Sequence, residues 1–331
     1  MTPTGWFQVA WSDEIAVGAV HRMAYFGRDM VAWRARSGGL AVMDAHCEHL
    51  GAHLGYGGSV QAHEKGDVIQ CPFHGWQWDA RGHNVAIPYE PRPNPGRRMR
   101  TYPVTERNES VYIWHDEARR EPFFEVPDVF AGFTGGSVSD YYPQMRLHRE
   151  RVRLHPQYVL ENGVDFAHFK FVHNTPIVPL FTRQEFDGPV SYVDFTITFA
   201  GDDGQSIDDV TSGVEAINGG LGVAVTKSWG MVDNRTISAI TPVDADTCDV
   251  RFMVYIGRRP GDDSAKAASK AADFGQMVID QFAADIDIWS HQRYQPNPAL
   301  APSEHDSFMA FRTWAGRFYP DVEAYPESDT A

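Results

Sequence analysis

Three cysteines in a chain of 331 residues are too few for a disulfide framework. The default this sets is a cytoplasmic protein with reduced thiols. Basic charge is also scarce. There are 29 Lys and Arg against 44 Asp and Glu, a formal net charge of −15. Nucleic acid and anionic membranes both bind through basic surface, so neither is an expected partner. No apolar run reaches the roughly 18 residues that a membrane span needs. The opening stretch "MTPTGWFQVAWSDEI" is too polar for a secretory signal. No internal repeat and no low-complexity tract interrupts the chain.

The content is otherwise that of a globular protein long enough for two domains. Apolar residues make up 43% and aromatics 13%, which suits large cores or an apolar pocket. Residues 6 to 115 read as short strands with frequent turns, a small antiparallel β domain. "PYEPRPNPGRRMR" at 88 to 100 reads as an irregular loop, and 119 to 140 as a connector. In the second half, 156 to 173 reads as helix, and 189–200, 222–242 and 248–258 as strands. Residues 264 to 294 read as one long helix. The expected fold class is α+β, with an antiparallel sheet in the second domain. We divide the chain as 1–125 and 126–331.

The short stretch "CPFHGW" puts Cys71 three positions before His74, half of a four-ligand metal site. The other half lies upstream, where Cys47 and His49 are two apart. Two thiolates and two imidazoles, one of each on two loops, can hold a tetrahedral zinc or a [2Fe–2S] cluster. Zinc sites of this composition usually pair Cys with Cys and His with His. One of each per loop suits a cluster in which Cys holds one iron and His the other. His46, His53, His63 and His83 lie in the same region and read as loop or surface histidines.

A second set of donors lies in "ENGVDFAHFKFVHN". His168 and His173 are five apart, a poor pair on a regular helix, and meet only if the helix ends or loosens after Phe169. Asp165 lies three before His168, and Asn162 one turn earlier. An open iron site with two His requires one carboxylate. On a wheel of about 100° per residue set to zero at Phe274, Asp285 falls at about 20°. That is near the middle of an arc holding Met277, Val278, Phe282, Ile286, Ile288 and Trp289, while Asp280 and Asp287 fall opposite. A carboxylate inside an apolar stripe is costly unless paired or metal-bound. A salt bridge to a buried Arg is the structural alternative.

"CEHLGAHLGYGG" followed by "CPFHGWQWDARGHNVAIPY" resembles the Rieske [2Fe–2S] signature, with an enlarged loop between His49 and Cys71. "ENGVDFAHFKFVHN" and "QFAADIDIW" resemble the catalytic domain of the Rieske non-haem iron oxygenases. The likeness covers nearly the whole chain, with the motifs in order. It implies a Rieske cluster on Cys47, His49, Cys71 and His74 and a mononuclear Fe(II) on His168, His173 and Asp285. It makes Asp165 the residue bridging one subunit's iron to the cluster histidine of its neighbour, and places Asn162 near the iron. It further implies a head-to-tail homotrimer, and O2 as co-substrate. An NAD(P)H-dependent reductase would supply the electrons, directly or through a ferredoxin.

The motifs look most like the 3-ketosteroid 9α-hydroxylase and cholesterol-desaturase side of that family. The expected reaction is therefore monooxygenation of a bulky apolar polycyclic substrate, a steroid. Phe171, Ile177, Val178, Phe181 and Trp229 are candidate pocket walls. A smaller aromatic acid, demethylated or ring-hydroxylated, is the alternative substrate class. A pure Rieske electron carrier, or a zinc-bearing binding module, is the alternative without this catalysis. Cys248, in a strand-like run, reads as a buried apolar residue.

Overall fold

The computed structural model describes residues 2–319, apart from 174, 176–177, 200–209, 231, 260 and 263. Among the described residues it holds four antiparallel sheets and two long helices, the expected α+β class. In the N-terminal half, strands Val20–Tyr25, Arg28–Arg34, Leu40–Asp44 and Thr101–Tyr102 form one sheet. Strands Ser59–Gln61, Val68–Gln70, Gln77–Trp78 and Asn84–Ala86 form another. The extra length in the first motif's spacer is the hairpin joining Ser59–Gln61 to Val68–Gln70. These two sheets close on a core of Val31, Trp33, Met43, Leu54, Ile69 and Trp78.

A three-stranded sheet follows, in which Gly5–Trp11 pairs with Ser110–His115, itself flanked by Val104–Arg107. Its indoles, Trp6, Trp11 and Trp114, pack on Val223, Val225, Ile237 and Tyr255 of the large sheet. One face of that sheet is thus covered by the N-terminal half.

The large sheet has seven strands in the order Met145–Val152, Cys248–Ile256, Asn234–Pro242, Val223–Trp229, Val210–Gly219, Val190–Phe199 and Leu180–Glu185. The stretch 222–242, expected as a single strand, is two antiparallel strands, Val223–Trp229 and Asn234–Pro242. Its other face takes the helix Ala265–Trp289, which packs against Cys248–Ile256 and Met145–Val152. Ser264 caps that helix, its hydroxyl accepting the N–H of Ala267 at 3.1 Å. Phe282 stacks on Phe252 with ring centroids 4.3 Å apart. A second helix, His305–Gly316, not expected from sequence, buries Phe311 and Trp314 against Leu160, Val193 and Leu221. Cys248 is buried as expected, and burial pushes its thiol pKa up.

Two expectations are corrected here. The stretch 156–173 is not one helix. Pro156–Glu161 ends at Asn162, and after a turn His168–Phe171 forms a single helical turn. Gly163 and the turn hydrogen bonds of Val164 and Asp165 break the run. A further break thus comes before His168, so Asp165 sits in a turn and not on a helical face, while the helical turn that starts at His168 ends at Phe171, after Phe169 as the His168–His173 pair requires. The apolar arc of the long helix is also displaced. Met277 and Ile288 are 44% and 50% exposed, while Ala271, Gly275, Ile279, Ile286 and Trp289 are buried. Asp285, 6% exposed, lies toward the edge of the buried face and not at its middle. No helix among the described residues is long and apolar enough to cross a membrane.

Candidate active site

The first motif builds two facing loops. After Leu40–Asp44 the chain turns at Cys47, where the N–H of Gly51 reaches the Cys47 carbonyl at 2.9 Å. The second loop repeats the device, the N–H of Gly75 reaching the Cys71 carbonyl at 3.1 Å. Gly51 and Gly75 have φ of 76° and 70°, the left-handed region that costs glycine little. At Gly75 a Cβ would also lie 2.8 Å from Pro88 Cγ, so a side chain there has no room.

The loops bury both Cys47 and Cys71 at 2% exposure and hold the His49 and His74 rings with centroids 4.8 Å apart. His49 stacks on Trp76 at 4.4 Å, which fixes its ring plane. The thiols lean on each other. The hydrogen bond from Cys47, aided by the backbone N–H groups of Phe73 and His74, brings the Cys71 thiol down to about 6. The same bond pushes the Cys47 thiol up. One thiolate forms easily and N–H groups already point at sulfur, as a metal-bound thiolate requires. Nδ1 of His74 is buried with no protein partner. Two buried sulfurs and a buried imidazole nitrogen left unpaired fit a [2Fe–2S] group better than they fit a closed protein core. Of the neighbouring histidines, His46 and His83 are exposed, His63 is half-buried, and His53 packs against His46 and Tyr56.

The second motif converges on one point. One ligand atom each from His168, His173 and Asp285 lies within 4.8 Å of the others. Nε2 of His173 is 3.3 Å from Oδ2 of Asp285. The His168 and His173 rings stand nearly perpendicular with centroids 5.1 Å apart. Asp165 orients His168 twice. Its carboxylate accepts the N–H of Ala167 at 3.1 Å and of His168 at 3.2 Å, and its carbonyl takes Nδ1 of His168. Nε2 of His168 then points inward, where Nδ2 of Asn162 lies 3.1 Å away. Burial lowers the His168 pKa, against the opposing pull of Asp165 and Asp285, and so favours the neutral imidazole a metal needs. Nδ1 of His173 is buried without a partner. Two imidazoles and a carboxylate on one side, with space on the other, fit an Fe(II) ion of the open kind. No Arg pairs with Asp285, so the alternative of a structural salt bridge to Arg finds no support among the described residues.

That space is a cavity of about 410 Å³ between the long helix and the free face of the seven-stranded sheet. Phe195, Trp229, Phe252, Phe274, Val278 and Phe282 supply its apolar walls. No Lys or Arg is among its described lining residues. Of the expected pocket residues, Trp229 lines it. Phe171 does not; it is 78% exposed. Phe181 packs with Phe166 and Phe195 behind the wall, Val178 is not in the lining, and Ile177 lies outside the described residues. Missed from sequence were the polar residues of the floor: Asn218, Thr226, Ser228, Asn234, Thr236 and Ser238. Several alternate with apolar residues, such as Ile217, Val225 and Ile237, that pack toward the N-terminal half. Alternation of this kind shows that a strand has two different faces, but not that the polar face is the buried one.

Comparison with known proteins agrees with this layout. The Rieske [2Fe-2S] domain model matches residues 5–103, and the 3-ketosteroid 9alpha-hydroxylase C-terminal domain model matches 113–319. The oxygenase component of a 3-ketosteroid-9-alpha-monooxygenase of Rhodococcus rhodochrous is 30% identical, over 96% of this chain and 84% of the relative. A cholesterol 7-desaturase of Bombyx mori is 28% identical, over 96% of this chain and 70% of the relative. Among solved structures, Pseudomonas putida CBB5 NdmA with caffeine superposes with a TM-score of 0.66 at 17% identity, covering 93% of this chain and 89% of that one. Apo dicamba monooxygenase superposes with a TM-score of 0.64 at 15% identity, covering 94% and 96%. At those identities the two structures speak to the fold.

Proposed function

The chain belongs to the Rieske non-haem iron oxygenases, and on that premise we propose that it is a terminal oxygenase that hydroxylates a steroid. The observation that carries the substrate class is the cavity: about 410 Å³, walled by aromatic and aliphatic side chains, and without a Lys or Arg among its described lining residues. A smaller aromatic acid would bring a carboxylate into a space with no Lys or Arg among its described lining residues to neutralise it, which is costly. A fused apolar ring system meets no such penalty.

In this reading Cys47, His49, Cys71 and His74 hold the [2Fe–2S] group, and His168, His173 and Asp285 hold Fe(II). When bound, the two groups supply one-electron transfer and O2 activation beside the substrate. The chain's own residues position and exclude. Asp165 and Asn162 set the ring of His168. Phe282 and Phe252 close one wall against water. The electron-carrying unit is residues 1–125 and the catalytic unit 126–331. A partner reductase feeds the cluster from NAD(P)H, directly or through a ferredoxin. The active assembly is a cytoplasmic homotrimer, whose heterologous interface brings one subunit's cluster to its neighbour's iron.

The test is product mass spectrometry with a surrogate reductase, NADH and O2, offering 3-ketosteroids, sterols and methoxy- or alkyl-substituted aromatic acids. Gain of one oxygen atom on a steroid is expected. Turnover confined to the aromatic acids would reject the steroid.

Asp165 carries its own prediction. Its carboxylate is a third exposed while it orients His168, so it is placed both to set that ring and to meet a neighbouring subunit. Asp165→Asn should keep both metals and the colour, and should slow turnover about ten- to hundredfold, as loss of outer-shell partners does. Iron content, the spectrum of the reduced cluster and the steady-state rate check this. An unchanged rate would remove Asp165 from the electron path.

A further inference from the structure

The floor of the cavity is a polar ladder, and its rungs are not equivalent. In register across strands Val223–Trp229 and Asn234–Pro242, Ala224 faces Ser238, Thr226 faces Thr236 and Ser228 faces Asn234. All six line the cavity. The middle rung is self-satisfied, the Thr226 and Thr236 hydroxyls lying 2.6 Å apart. Near the first rung, Nδ2 of Asn218 donates to Ser191 Oγ at 3.0 Å, and Ser238 offers a single hydroxyl. The third rung is different. Asn234 is 6% exposed, and among the described residues its carboxamide makes one hydrogen bond, a long 3.4 Å from Nδ2 to the Val232 carbonyl. Ser228, directly opposite, makes no side-chain hydrogen bond among the described residues. The buried Asn234 amide and the half-buried Ser228 hydroxyl both line the cavity and keep hydrogen-bonding capacity that a polar group of a bound molecule can take up.

Their place along the cavity says what enters. Phe282 stacks on Phe252, which pairs with Ser238. A Cβ on Gly275 would lie 3.5 Å from Ile256, which pairs with Asn234. The Asn234 rung therefore faces the Gly275 level of the helix, about 15 Å of helix away from Asp285. It is the end of the cavity remote from the proposed iron.

We propose that Asn234 and Ser228 form the specificity subsite of this enzyme, donating two hydrogen bonds to a ketone or hydroxyl oxygen at the end of the substrate remote from the oxidised carbon. This rests on the steroid reading, and it deepens it. The substrate is an apolar ring system that carries oxygen at its far terminus, and that oxygen sets which carbon reaches the iron. An aliphatic tail at that end would strand both donors.

The experiment is anaerobic binding to the holoenzyme, read by tryptophan fluorescence, since Trp229 lines the cavity. The panel is a steroid diketone oxygenated at both ends of the nucleus, its two monoketones and the parent hydrocarbon. The wild type should bind the diketone about tenfold or more tighter than the hydrocarbon. In Asn234→Leu, one monoketone should lose its advantage over the hydrocarbon while the other keeps it. Ser228→Ala should weaken the same monoketone by less. Undiminished discrimination in both variants, or a wild type that binds hydrocarbon and diketone alike, overturns the subsite and leaves the steroid reading standing. A wild type that binds none of the four, yet turns over aromatic acids, removes the steroid reading and the subsite with it.

Discussion

Cys71→Ser should yield a colourless protein that has lost its cluster and turns over no substrate. The replacement is nearly isosteric, and the loop around residue 71 is held by backbone. Its N–H reaches the Trp76 carbonyl at 2.8 Å, and its carbonyl accepts from Gly75 at 3.1 Å. The loop should survive, and the difference should be chemical. The Cys71 thiol, brought down to about 6 by Cys47 and the N–H groups of Phe73 and His74, is a ready thiolate. A serine hydroxyl in the same place ionises far less readily. Iron should fall from about three atoms per chain to about one, with the visible absorption gone. Melting temperature should fall too, because binding energy at a metal site is folding energy. The mononuclear iron should remain, because its ligands come from separate elements. A retained visible spectrum with full iron would dismiss the cluster assignment.

The parts of this site that could be read from sequence are those in which chemistry is local. C-x-H and C-x-x-H each sit on one tight loop, so spacing alone fixes which donors can meet. Asp285 was legible because an acidic residue inside an apolar stripe violates its surroundings. The wheel still put it at the middle of that stripe, since periodicity shows which side is apolar and not how far the sheet beneath it extends. Met277 and Ile288 lie past that edge and face water. His168 and His173 were legible as a pair, and so was the need for the helix to end between them, which it does at Phe171. The other break, before His168, was not legible: it depends on Gly163 and on the Asp165 carboxylate capping the turn, which the pattern over 156–173 does not show.

What was missed has a common cause. Strands Met145–Val152 and Leu180–Glu185 are the two edges of the large sheet. They have one unpaired side and several exposed residues, so "MRLHRERV" and "LFTRQE" carry little apolar alternation and were not named as strands. Val210–Gly219 includes Gly213, where a Cβ would lie 2.3 Å from the Trp229 ring. A glycine there is a packing requirement of the cavity wall, and in sequence it looks like a strand breaker. The ladder from Asn218 to Ser238 was invisible for the complementary reason. Polar residues are expected to face water, and here they face a cavity between a sheet and a helix that only the tertiary fold creates.

Asp285→Ala should separate the two metal centres, keeping the colour and losing the catalysis. The carboxylate is buried, and Oδ2 lies 3.3 Å from Nε2 of His173. Two imidazoles without the third donor should hold Fe(II) poorly, so iron should fall from about three atoms per chain to about two while the cluster spectrum stays. Turnover should vanish even though substrate binds, because the apolar walls are untouched. Stability tells a metal ligand from a structural ion pair. If Asp285 served only to pair with His173, its removal would leave a buried partner uncompensated and cost about 3–5 kcal/mol. If it is a ligand, the metal-free protein carries a buried carboxylate with no cation to neutralise it, in a helix interior that disfavours Asp. Alanine removes that burden and is the best helix former. The iron-stripped variant should then melt at or above the iron-stripped wild type, while the iron-loaded wild type melts above both by the energy of binding. A variant that keeps its iron and its rate would show that another carboxylate completes the site. One that loses stability without losing iron would return Asp285 to a structural role.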